Sequence, residues 1–569
     1  MPTREETRAR IRAEREAQRP WATQACVQAV REGRGREAHD NLIFFTPPAA
    51  FPAALRAVRE AGEAAYAQAS PVEQMRWLNF AVDMAVALAS FLPAWNLRAG
   101  LNEAQIEAEA QACAALAERL SLAAPAVAQQ ALVEWRAYAK ARFEVEKAAD
   151  PGRMAAELVG STVAEYVRAL SGAVRGGYLR PWAEAFHRGE TITELGNDYA
   201  AFLDYAMYLG ISFATTNPPL VDLAWTGEPD RWNAVIDRLI AEDPTASDEE
   251  LARRMTLQVV LVNMRLLRPI FLLTEGRLGL VSLQVNPKKH GDADAMIADA
   301  TALYRELEQE LNGVPNVVFK LPATNAGLAA CRYLNARGMG TNATVNFGLF
   351  QEVPFAEATV AGNAVTAYIT EMNGRLAFPV RDELLAKAAS VGLTADEARY
   401  GAAWSGVAVQ KKLLRLLKGR GYDLNHLRVL VASLRWYVGA GYEQLPDPCP
   451  DVIDCMGTTV ITIFPNIRHA LDFTPNLPFD GNALEAPVPE DALKILEHSE
   501  IFRQSYWLPG DDARFRPAQP LTLADEAGTA AWAPVAATLN EFCNAYDKFV
   551  GRIAERRPAQ CCGQRGCCS

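Results

Sequence analysis

From Thr191 onward the chain alternates short apolar runs of strand length with segments carrying the 3.6-residue spacing of amphipathic helices. The runs are Thr191–Leu195, Ile211–Thr216, Leu278–Asn286, Val317–Leu321, Gly340–Phe347, Thr366–Glu371, Leu427–Leu434 and Thr458–Phe464. Ala293–Glu310 and Ala326–Arg337 are helical connections of this kind, and Pro229–Leu273 and Arg381–Gly419 have room for more than one helix. Such alternation commits a chain to a mostly parallel α/β sheet, because parallel neighbours need a crossover between them. Eight strands over about 290 residues match a (β/α)8 TIM barrel, whose usual length is about 250. An open doubly wound sheet competes, but no G-x-G-x-x-G turn follows any run. The sequence therefore predicts a barrel at residues 189–480.

Two flanks surround it. Residues 1–188 read as a helical N-terminal module with no catalytic spacing, and its role is unassigned. Its charged opening, Arg4 to Arg19, suits a solvated or frayed helix. Alanine-rich helices are expected at Ala50–Ala69, Val72–Leu92, Glu103–Leu122 and Val127–Ala148, with Gly and Pro at their ends. Residues 481–569 form a C-terminal helical extension, with helices at Glu490–Ser505 and about Trp532–Arg556 and then a Cys-rich tail. The adjacent pairs Cys561-Cys562 and Cys567-Cys568 fit tetrahedral zinc spacing poorly, so a loose thiol-rich tail is expected and no metal site is assigned.

A net charge of -11 and a pI near 5.3 exclude general nucleic-acid binding and adsorption to anionic membranes. A small anionic substrate is compatible, because it needs only a local pair of arginines. Met1-Pro-Thr-Arg-Glu-Glu lacks the apolar core of a signal peptide. The apolar stretch Ala81–Leu97 is broken by Asp83 and Pro93, and Met255–Leu273 by Arg265 and Arg268, so both are expected to be buried helices. A soluble, cytoplasmic protein is the expectation.

One residue carries the chemistry. Lys320 lies among apolar and β-branched neighbours in Asn316-Val-Val-Phe-Lys-Leu-Pro-Ala-Thr324. A lone cation in a buried strand must be paired, exposed at the strand end, or held neutral. Held neutral, its amine is a nucleophile able to form a Schiff base with a carbonyl. Emerging at the strand end, it would be an ordinary lysine.

Five motifs in order resemble the transaldolase family. Thr215-Thr-Asn-Pro-Pro-Leu220 resembles the family's Thr-Thr-Asn-Pro-Ser-Leu, and Val317–Thr324 its fourth strand with the Schiff-base lysine. Thr341-Asn-Ala-Thr-Val-Asn-Phe347 is similar to the fifth strand, Ile369–Arg375 to the sixth-strand turn ending in Gly-Arg, and Val431-Ala-Ser-Leu-Arg435 to the seventh. The resemblance covers about Thr191–Leu471. It implies that Lys320 attacks the ketone of a sugar phosphate and holds a dihydroxyacetone unit until an aldose phosphate accepts it. It further implies that Thr344 positions the catalytic water, that Asn217 and Asn342 hold substrate hydroxyls, and that Arg375, Ser433 and Arg435 clamp the phosphate, with Thr370 standing in for a family serine. Capping of strand ends is the plain alternative for both asparagines, and pairing with surface acids is the alternative for the two arginines.

Departures bear on the reaction. The third-strand glutamate of transaldolases is Gln284 here, in Val281-Ser-Leu-Gln-Val285; related fructose-6-phosphate aldolases also carry glutamine. Their sixth-strand tyrosine is Met372 here. For the first-strand acid/base the nearest match is Glu194, with Leu195 an equal alignment. A transaldolase is thus the leading expectation, with a fructose-6-phosphate-type aldolase or a non-catalytic sugar-phosphate-binding barrel as alternatives. Sugar phosphates are the implied partners, a homo-oligomer is compatible, and the chemistry asks for no metal or organic cofactor.

Overall fold

In a computed structural model of the protein, residues 2–95, 100 and 102–564 are described, without the side chains of 91–95 and 558–564. Of the Cys-rich tail, Cys561 and Cys562 fall in the described backbone, which is helical to Gln564 where a loose tail was expected, whereas Cys567 and Cys568 lie outside the described residues.

Eight parallel strands close into a barrel in chain order. They are β1 Glu194–Asn197, β2 Phe213–Thr215, β3 Leu280–Gln284 and β4 Val317–Pro322. The circuit is completed by β5 Thr341–Thr344, β6 Ala367–Met372, β7 Leu427–Ala432 and β8 Val460–Ile463, which pairs back to β1. Each expected run contains or overlaps its strand. The first is displaced: β1 begins three residues beyond the expected start and extends past Leu195.

A period-two split of apolar residues closes the cylinder. Phe213, Leu280, Val318, Tyr368, Leu430 and Val460 pack as one cluster on the inward face. Their neighbours Ala214, Val281, Phe319, Ile369, Val429 and Ile461 belong to the larger cluster under the helices. On β1 the inward position is Gly196, where a Cβ would press on Thr462 and Val460. Two positions along the chain from this layer, the same face carries Thr215, Ser282, Lys320, Thr370 and Thr462.

Residues before β1 are helical, as expected, from Arg4–Ala17 to Leu179–His187. The first helix differs from its reading as a solvated segment. Thr3 and Glu6 form a reciprocal cap, and Ile11 is fully buried in the inward cluster at the amino end of the strands. Arg12–Glu275 at 2.9 Å and the Glu14–Arg268 pair hold it there. Its charges are anchors because one apolar stripe finds the end of the barrel.

The helix Asp248–Leu273 is long and apolar enough to cross a membrane by length and composition, but in the fold it is mostly buried and runs into β3. The expected helix Glu490–Ser505 is two, Glu490–Leu496 and Glu500–Tyr506, separated where Ser499 caps the second. The closing helix, Ala533–Gln564, crosses the carboxyl end of the barrel. It touches the helix after β6, the turn Pro287–Lys289 after β3 and the helix Pro218–Gly227 after β2.

Candidate active site

Lys320 sits on the inward face of β4 near the strand's carboxyl end and is only 4 % exposed. Its register partners are Gln284 on β3 and Asn342 on β5. Burial holds the ammonium below the usual lysine range; the carboxylate of Asp198 opposes that shift and the guanidinium of Arg375 adds to it. An amine in such a place is readily deprotonated and can act as a nucleophile.

The neighbouring strands present hydroxyls and amides. Asn342 Nδ2 donates to Ser282 Oγ at 3.1 Å, and Thr370 Oγ1 donates to Asn342 Oδ1 at 2.6 Å. Thr344, two residues on from Asn342, is buried with its hydroxyl 3.7 Å from the sulfur of Met372. These contacts run across β3, β5 and β6 and fix the walls beside Lys320. Asn217 instead caps a helix: its Oδ1 accepts from Leu220 N at 2.9 Å, the plain alternative for this residue. It also lines a cavity of about 300 Å³ beside Gln284, roofed by Tyr546 and Phe549 of the closing helix; Lys320 is not part of that lining. Gln284 Oε1 is buried without a hydrogen-bond partner among the described residues.

Arg375, Ser433 and Arg435 meet where β6 and β7 end. Gly374 N donates to Ser433 O at 3.2 Å, and a Cβ on Gly374 would collide with that oxygen and with Arg435 Cγ. Glycine is required there by close approach. Ser433 itself adopts φ +58°, turning the chain so that Arg435 folds back to donate to Ser433 O and Leu434 O at 3.0 and 3.1 Å. Arg435 also stacks over Phe378 with its Cζ 4.8 Å from the ring centroid, and burial lowers its pKa. Arg375 forms a two-pronged ion pair with Glu541 of the closing helix at 2.5 and 2.6 Å.

Glu194 is not at this mouth, and its assignment as acid/base is corrected. It opens β1 at the amino end, fully buried, paired with Arg428 of β7 at 2.7 Å and accepting from the Ser212 hydroxyl. Leu195, the alternative alignment, turns outward into the helix-packed core. The residue passed over is Asp198, one step beyond β1. Glu194, Gly196 and Asp198 share one face, but a rise of about 3.3 Å per residue puts Asp198 about 13 Å nearer the carboxyl end. There it accepts a hydrogen bond from Thr215 Oγ1 and acts on Lys320. The signal for it was an aspartate following an inward glycine; ending the strand at Leu195 hid it.

One further acidic pair stands outside this mouth. Glu371 of β6 and Glu352 of the helix Leu349–Val360 are fully buried and face each other. Burial pushes Glu352 up to about 8, and burial plus its neighbour drives Glu371 well above the carboxylate range.

The chain is similar in sequence to known proteins over the barrel. A family model described as Transaldolase/Fructose-6-phosphate aldolase matches residues 197–477, a span that starts beyond Glu194 and includes Asp198. The chain is similar to Transaldolase 1 of Streptomyces avermitilis, 33% identical over 148 residues, 26% of this chain and 37% of that protein. It is 31% identical over 148 residues to the transaldolase of Thermobifida fusca, 26% of this chain and 38% of that one. With the transaldolase of Arthrobacter sp. it shares 34% identity over 137 residues, 24% and 34% of the respective lengths. The matched segments thus span well under half of these curated relatives. Taken with the closed eight-stranded barrel and the ordered motifs along β2 to β7, they show that the barrel segment, residues 197–477, is similar to the transaldolase/fructose-6-phosphate aldolase family.

Proposed function

We propose that the barrel is a Schiff-base enzyme of sugar-phosphate metabolism that transfers a dihydroxyacetone unit between sugar phosphates through Lys320. The observation that carries this is the buried Lys320 amine at the carboxyl mouth, lowered in pKa, with a carboxylate and two guanidiniums grouped about the same opening.

In this reading the Lys320 nitrogen adds to the C2 carbonyl carbon of a ketose phosphate. Loss of the C2 oxygen as water leaves an iminium. Asp198 accepts the C4 hydroxyl proton, the C3–C4 bond breaks, and its electron pair flows into the iminium to give an enamine. An aldose leaves, and the reverse steps join the enamine to an incoming aldehyde. Thr215 orients Asp198 for the transfer. Asn342, held by Ser282 and Thr370, supplies an amide toward substrate hydroxyls, and Thr344 a hydroxyl toward the water of the dehydration step. Arg375 and Arg435, with Ser433, receive the phosphate.

Gln284 favours a second reading, an aldolase that releases its three-carbon unit to solvent, because an amide can hold a water but cannot shuttle its proton. Product analysis with and without an aldose phosphate acceptor separates the two. Borohydride trapping with fructose 6-phosphate tests both: the expected result is a reduced adduct mapped to Lys320 and absent from Lys320→Met. No adduct with any ketose, together with stabilisation by sugar phosphate, would leave a binding protein instead.

A further inference from the structure

The proposed phosphate clamp is already filled from within the chain. Glu541 meets the Arg375 fork with both carboxylate oxygens, at 2.5 and 2.6 Å, the geometry a phosphate would use. Phe542, the next residue, puts its ring centroid 5.5 Å from the same guanidinium. Arg435 contributes a second positive charge felt by Glu541, while its own donors rest on backbone carbonyls. The pairing with Arg375 is the leading reason that the Glu541 carboxyl is held below its usual pKa, so it remains an anion across the neutral range.

The two sides of this pair differ. The Arg375 side chain is 21 % exposed and belongs to the rigid first turn of the helix after β6, whereas that of Glu541 is 53 % exposed. The helix carrying Glu541 is held independently by Trp532 against Phe347 and Phe350, and by Arg552 on Asp222 at 2.8 Å. Glu541 can therefore rotate into solvent without the helix undocking.

We infer that Glu541 is a built-in competitor for substrate phosphate, which sets phosphate affinity by occupying Arg375 until a dianion displaces it. This deepens the sugar-phosphate reading, because it concerns the same clamp. Tethering keeps the carboxylate at high effective concentration, while a phosphate brings a larger charge and a third oxygen. Anions too weak to engage both guanidiniums are disfavoured relative to a phosphate dianion, and unphosphorylated carbonyl compounds are unaffected.

Calorimetric titration of the full chain with inorganic phosphate tests this without turnover. Glu541→Gln is expected to bind phosphate roughly 2- to 5-fold more tightly, the range that a partly exposed ion pair supports. Arg375→Gln should lose that binding. Arg552→Gln, which loosens the same helix away from the clamp, should leave phosphate affinity unchanged. Equal or weaker binding by Glu541→Gln, or equal tightening by Arg552→Gln, overturns competition by Glu541. Borohydride trapping with unphosphorylated dihydroxyacetone reports on Lys320 separately, so failure of the clamp proposal and failure of the Schiff-base reading give different results.

Discussion

The two ends of the barrel are built from the same eight strands and treat charge in opposite ways. At the amino end Glu194 and Arg428 are both buried and joined at 2.7 Å, and the Arg428 guanidinium sits 5.9 Å from the Tyr368 ring centroid. The first helix closes over this end with Ile11. At the carboxyl end Lys320 is equally buried, and no carboxylate lies within ion-pair distance of it among the described residues. Asp198 is near enough to bias the lysine, and its carboxylate is occupied by Thr215. A paired buried charge secures structure, while one held back from a partner stores reactivity.

Exchanging neutral isosteres between the ends should break that contrast. The largest effect is expected for Lys320→Met: loss of roughly 10³-fold or more in turnover and loss of the trapped adduct. Its stability to urea should be unchanged or up by about 1–2 kcal/mol, because a desolvated amine is removed. Asp198→Asn should lower kcat by roughly 10²–10⁴-fold with little change in unfolding. It should also move the acid limb of kcat/KM against pH. That limb lies below 10.5 in the wild type and should fall further once the carboxylate that raises the lysine is gone.

Glu194→Gln should show the converse at the amino end. Stability should drop by roughly 3–5 kcal/mol in denaturant unfolding, because Arg428 is left buried without its counter-charge, while adduct formation per folded molecule is retained. Comparable loss of turnover from Glu194→Gln and Asp198→Asn in fully folded protein would dissolve the distinction between the ends.

The smallest effect is expected at the acidic pair outside both mouths. An unfolded glutamate ionises near 4.5, whereas folded Glu352 keeps its proton to about 8. Between those values the folded state binds the additional proton, so stability falls as pH rises through this window. Glu352→Gln should reduce that slope, leaving the part due to Glu371, and raise the stability at pH 8 by roughly 1–3 kcal/mol, read from thermal midpoints measured from pH 5 to 8.

Most of the barrel was legible because the information is local. Short apolar runs with helical segments between them need no partner to be recognised, and the split between Val318 inside and Phe319 outside follows from alternation alone. Lys320 stood out as a lone cation in an apolar strand, whereas Asn342, Thr344, Arg375 and Arg435 were singled out only by the motifs that resemble the transaldolase family. Boundaries were less so. Moving the end of β1 by two residues changed which acidic residue faced the lysine, since Glu194 and Asp198 lie on one face and only their height differs. Asn217 looked like a substrate ligand and also serves as a helix cap, because one side-chain oxygen satisfies either demand.

The chain by itself determined the strand and helix order, the barrel, and the residue types at its carboxyl mouth, because periodicity and turn chemistry act over a few residues. Tertiary structure alone decided who meets whom: Glu194 with Arg428, Asp198 with Lys320, and Glu541 with Arg375 from 166 positions away. Those pairings depend on the stagger of a closed sheet and on where a distant helix docks, and neither quantity is written in any local stretch of sequence.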